Sequence, residues 1–211
     1  MTSSSGRRPL PRPIARLAIV TIAGLAMIAV AACGSSGVDP LASRSIAVDA
    51  SPPPTPCDHC APDLEKLLPT RIGSTDLTTS SYDGADFAAT GSATNRQQLD
   101  TLLARLGKSE ADLFVAEATD PTGALVFQDG IFQVRGADPT ALRDGWVAAQ
   151  QQANPRISVD TTSIDGQPVI RLSTTGSVSG GVTYVVSRGD SLYLILADDQ
   201  SLVQQAISLI K

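Results

Sequence analysis

The sequence predicts an α+β fold: a largely antiparallel sheet packed by helices on one face, as a two-layer sandwich. Two tight-turn signals, Asp165-Gly166 and Arg188-Gly189-Asp190-Ser191, each join two runs rich in strand formers, and strands joined so closely must be antiparallel. Around these pairs lie segments with apolar residues at helical spacing, such as Leu99, Leu102, Leu103 and Leu106. The stretch Cys57–Lys211 is long enough to bury about two thirds of its unfolded surface in one core.

Each element has its own local reason. Pro62 stands at a first helical position with Asp63 and Glu65 behind it, which predicts a short helix through Leu68, ended by Pro69. A strand follows over Thr75–Tyr82, and Asp83-Gly84 reads as a turn. Thr94 with Gln97 forms a capping-box pattern ahead of the leucine stripe, and Gly107 is placed to stop that helix. Ser109–Asp112 forms one further turn. Leu113–Thr119 and Ala124–Arg135 are rich in strand formers, and Asp129-Gly130 inside the second reads as a bulge or tight hairpin. Asp138 is an N-cap before Pro139, and Leu142, Trp146 and Ala149 make the apolar stripe of a helix running to about Gln152. Ile157–Ile164 and Gln167–Ser173 flank Asp165-Gly166, while Val182–Ser187 and Leu192–Ala197 flank the second turn. Asp198-Asp199 then caps a last helix with Leu202, Val203, Ala206, Ile207 and Ile210 inward. The expected order is helix, strand, helix, two strands, helix, four strands, helix.

Ahead of this domain the composition changes twice. Arg7, Arg8, Arg12 and Arg16 precede an uncharged run from Leu17 to Ala32, which ends in Val30-Ala31-Ala32-Cys33-Gly34. A basic region, an apolar region and small residues before a cysteine resemble the lipobox signal of bacterial lipoproteins. The resemblance implies that residues 1–32 are a signal peptide and that Cys33 is lipidated and opens the mature chain. The protein then sits at the cell membrane, lipid-anchored, on the extracytoplasmic side. Leu17–Ala32 is shorter than the roughly 20 residues of a spanning helix. Residues 33–56 read as the lipidated cysteine and a linker, rich in Gly, Ser, Ala and Pro and ending in Ser51-Pro52-Pro53-Pro54-Thr55-Pro56. Residues 57–211 are read as one extracytoplasmic domain.

Charge excludes one class of partner. The whole chain carries a formal net charge of −5, and the body without the signal arginines is more acidic still. An acidic surface argues against nucleic acid and against lying flat on anionic lipid. The expected membrane contact is the lipid on Cys33 alone.

With Cys33 lipidated, Cys57 and Cys60 form an even pair in an oxidising compartment, which favours a disulfide. Cys57-Asp58-His59-Cys60 also resembles the active-site loop of periplasmic thiol oxidants with a thioredoxin-like fold, although such folds set the motif after a buried strand and here a proline-rich segment precedes it. Structural bridge and redox pair are separated by their reduction potentials. As a metal site the pair with His59 offers at most three ligands, one short of a closed structural zinc site.

Other motifs dissolve on reading. His59 is the only histidine, so any Ser-His-Asp or Cys-His mechanism must pass through it. Gly176-Ser177-Val178-Ser179-Gly180 has valine where a nucleophile elbow needs serine. Gly107-Lys108-Ser109 ends like a phosphate-binding loop, but Leu102 stands where its first glycine belongs. Arg188-Gly189-Asp190 matches an adhesion tripeptide whose residues a hairpin turn also requires. Asp198 and Asp199 read as helix caps before calcium ligands. No catalytic residue, metal or cofactor is nominated. The expected role is a non-catalytic module binding a partner protein or a small apolar ligand, with thiol-disulfide redox or sensing at Cys57-Cys60 as the alternative.

Overall fold

A computed structural model of the chain describes residues 57–174 and 181–210. Cys33, the signal and linker segments, and the Gly176–Gly180 loop lie outside the described residues.

The domain opens with α1 (Pro62–Glu65), four residues with Pro62 at the first helical position, where its missing N–H costs nothing. Turns rather than helix carry the chain on to Leu68, so the expected helix is shorter by its last turn. The expected strand over Thr75–Tyr82 divides at Leu77. β1 (Arg71–Ile72) and β2 (Thr75–Asp76) close a small hairpin, and β3 (Thr78–Asp83) enters the main sheet. Asp83-Gly84 is not a turn. Asp83 accepts from the Asp86 N–H at 2.9 Å and so caps α2 (Gly84–Thr90), a helix the sequence reading lacks. The glycine is there for packing: a Cβ on Gly84 would stand 2.1 Å from the Glu110 carbonyl oxygen.

α3 (Ala93–Arg105) begins two residues earlier than the Thr94 pattern implied, because Ser92 accepts from the Asn95 N–H. Gly107, at φ +65°, ends it as expected. A single 3₁₀ turn over Glu110–Asp112 leads into β4 (Leu113–Thr119) and β5 (Phe127–Val134). β5 pairs in unbroken register with β4 through Asp129 and Gly130, opposite Ala118 and Glu117, so the expected bulge is absent. α4 (Pro139–Ala153) is capped by Asp138. The hairpin of β6 (Ile157–Ile164) and β7 (Gln167–Thr174) turns on Asp165 at φ +51° and Gly166 at φ +78°, the left-handed pair that an Asp-Gly turn supplies. β8 (Val182–Arg188), β9 (Ser191–Ala197) and α5 (Gln200–Leu209) complete the domain.

The main sheet has seven strands in the order β3-β4-β5-β9-β8-β7-β6, antiparallel throughout. The α+β class with a large antiparallel sheet is thus the fold of this chain. Its layering is fuller than one helical face. Alternate residues of β4, β5 and β9 feed two separate apolar clusters. Leu113, Val115, Phe132, Leu192 and Leu194 pack with α3 and α4, while Ala116, Ala118, Ile131, Ile195 and Ala197 pack with α1 and α5. The reason is readable in β9, where Leu192 to Ile195 are all buried: a strand apolar on both sides needs a cover on both sides.

Candidate functional site

Cys57 and Cys60 are joined by a disulfide, with 5.5 Å between their Cα atoms. The Cys60 N–H donates to the Ser81 carbonyl, the Ser81 N–H donates to the Asp58 carbonyl, and His59 forms a parallel bridge with Ser81. The Cys57 N–H donates to Asp86 Oδ2 at 2.9 Å. The pair therefore staples the start of the domain along β3, the edge strand of the sheet, and covers part of that edge.

His59 does not enter a catalytic arrangement with a serine. Its Nδ1 lies 2.9 Å from Glu65 Oε1, and the buried Ser81 hydroxyl donates to the same oxygen while accepting from the Ala61 N–H. A triad needs imidazole between acid and hydroxyl; here the carboxylate is in the middle. Burial disfavours the Glu65 charge, but the hydrogen bonds from Ser81 and His59 outweigh it and lower its pKa. Cys60, Asp83 and Asp86 bring ligand atoms within 4.8 Å of one another, yet each is engaged: in the disulfide, in the α2 cap, and by the Cys57 N–H.

The remaining motifs are structural. The Lys108 N–H donates to the Leu103 carbonyl, so Gly107-Lys108 forms a helix C-cap. Asp190 accepts from Gln133 Nε2 and from the Gly136 N–H, which ties the β8–β9 turn to the end of β5 and occupies the carboxylate of the Arg-Gly-Asp tripeptide. Asp199 caps α5.

A concave feature lies elsewhere among the described residues, on the sheet face that α4 covers. A cavity of about 160 Å³ opens between the C-terminal half of α4 and strands β5, β9, β8 and β7. Leu172, Leu194 and Leu196 form its floor and Ile157 one wall, while α4 contributes Trp146, Gln150 and Asn154. None of its described lining residues is charged. Its volume matches the roughly 150 Å³ that accommodates a benzene-sized guest in an apolar interior. At one end stands Gln128 of β5, almost fully buried, whose Nε2 donates to Glu117 Oε2 at 3.1 Å. Glu117, on β4, also accepts from the Ser80 and Tyr82 hydroxyls of β3.

Sequence reasoning placed Trp146 on an apolar stripe and missed Gln128 and Glu117. The signal that was available is Gln128-Asp129-Gly130 within an otherwise apolar strand, because polar residues of both parities in a central strand must each meet a partner. On the opposite face Asp129 is only partly met. Its Oδ1 is without a hydrogen-bond partner among the described residues, and burial pushes its pKa up to about 7.

No family model, no curated protein and no solved structure matches this chain.

Proposed function

We propose that the chain is a bacterial lipoprotein, tethered by lipid on Cys33 to the outer face of the cell membrane, whose domain holds a small, uncharged, largely apolar ligand without transforming it. One observation carries the reading: a cavity with an apolar floor, an indole wall and no charge among its described lining residues. Such a lining rejects ions, which would lose hydration without gaining a partner, and accepts apolar surface at about 25 cal/mol per Å² buried. The volume limits the buried part of the ligand to a single ring or a short acyl segment.

Trp146 is the chain's only tryptophan and lines the cavity, so its emission reports occupancy directly. Titration with toluene should produce a saturable change in that emission. Thr183→Phe, which places a ring in the same space, should abolish it while leaving the fold intact. An emission that drifts linearly with toluene, or one equally responsive in Thr183→Phe, excludes the cavity as a binding site.

The redox alternative has less support. The Asp86 carboxylate stands 4.0 Å from Cys60 Sγ, which disfavours a thiolate, and His59 is turned to Glu65.

A further inference from the structure

On the ligand-binding reading, on which this step rests, the geometry points to a ligand that carries a hydroxyl or N–H group, received by the side-chain carbonyl of Gln128. A glutamine amide has a donating end and an accepting end. The donating end of Gln128 is committed, because Nε2 faces Glu117 Oε2 and a carboxylate can only accept. The amide cannot be reversed, since that would set Oε1 against Glu117, which already accepts from Ser80 and Tyr82. The accepting end is left over. Gln128 lines the cavity, is almost fully buried, and its Oε1 receives no hydrogen bond among the described residues. That oxygen still reaches water through the open cavity, so a guest that displaces the water leaves it unsatisfied unless the guest brings a donor, and a guest that brings only an acceptor cannot replace the lost bond. Glu117 touches no ligand in this scheme. It is a positioning residue that sets which end of the Gln128 amide faces inward. The ligand class is thereby narrowed from any small apolar molecule to a small neutral one with a polar donor at one end, such as a phenol or an alcohol.

The test uses the full chain in phosphatidylcholine vesicles, with free probe concentrations set by equilibrium dialysis and Trp146 emission as the readout. Phenol and benzonitrile are single-ring, uncharged probes of similar size; both accept hydrogen bonds and only phenol donates. Phenol should bind about 2- to 10-fold more tightly than benzonitrile, the range of one neutral hydrogen bond. Gln128→Leu should erase that discrimination. Glu117→Gln should erase it too, because a neutral amide at 117 can donate as well as accept and leaves the Gln128 amide free to turn; this near-isosteric change keeps the test available if Gln128→Leu does not fold. Equal binding of the two probes to the native chain, or discrimination that survives in both variants, overturns the assignment while leaving the cavity a binding site. If neither probe moves Trp146 saturably, the ligand-binding reading itself falls.

Discussion

Asp129 sits on β5 between Ala118 of β4 and Ile195 of β9, 2 % exposed, in an apolar cluster. Burial is the main reason its pKa rises from 3.8 to about 7; a hydrogen bond with the Gly130 backbone offsets only part of it. Nearby, burial first and the Asp129 charge second raise the Tyr193 hydroxyl. The folded domain therefore keeps a proton that the unfolded chain releases near pH 4, and stability falls as pH climbs from about 4 to about 7, then levels. The full loss is on the order of 4 kcal/mol. Asp129→Asn should remove this slope, so that urea denaturation of native and variant domains at pH 5 and pH 8 differs chiefly in how much the native domain weakens. Equal weakening of both would mean that Asp129 is solvated or paired. This residue was legible in the sequence only as a turn signal, because Asp-Gly also begins hairpins, and its neighbours in space come from β4 and β9.

Among the elements, those whose ends carry local chemistry were legible and those whose reason is a distant contact were not. Asp138 before Pro139, Gly107 after the leucine stripe and Asp165-Gly166 between two strands satisfy backbone groups within a few residues, so the sequence around them suffices. α2 is the contrary case. Its glycine at the first helical position was read as turn chemistry, whereas the structure uses it to bring the helix start against the Glu110 carbonyl. Helix propensity alone predicts that Gly84→Ala stabilises the domain by about 1 kcal/mol. The 2.1 Å approach reverses the sign. We expect Gly84→Ala to cost about 1–3 kcal/mol in thermal or chemical unfolding, the range of an overpacked contact. A variant as stable as the native domain would show that the 3₁₀ turn moves aside freely.

At the scale of the whole molecule, the sheet presents two edges and treats them differently. The disulfide-bonded segment covers part of β3, and β6 at the other edge carries exposed Ser158, Asp160, Thr161, Thr162 and Ser163, polar groups that discourage pairing with another chain. The tether is tested on the same scale. Intact mass of the chain taken from its native membrane should show a lipid adduct at Cys33, with two further alkyl groups added only after reduction of Cys57–Cys60. An unlipidated mass removes the membrane assignment, and alkylation without reduction removes the bridge. By itself the sequence determined the antiparallel α+β class, most helix and strand positions and the pairing of Cys57 with Cys60, because periodicity, caps and tight turns act over a few residues. Only the tertiary structure decided that helices cover both faces, that Asp129 is buried with one carboxylate oxygen unpartnered, and that Trp146, Gln128 and Leu194 meet around one cavity. Those outcomes depend on which strands become neighbours, and β5 meets β9 only after the chain has passed through α4, β6, β7 and β8.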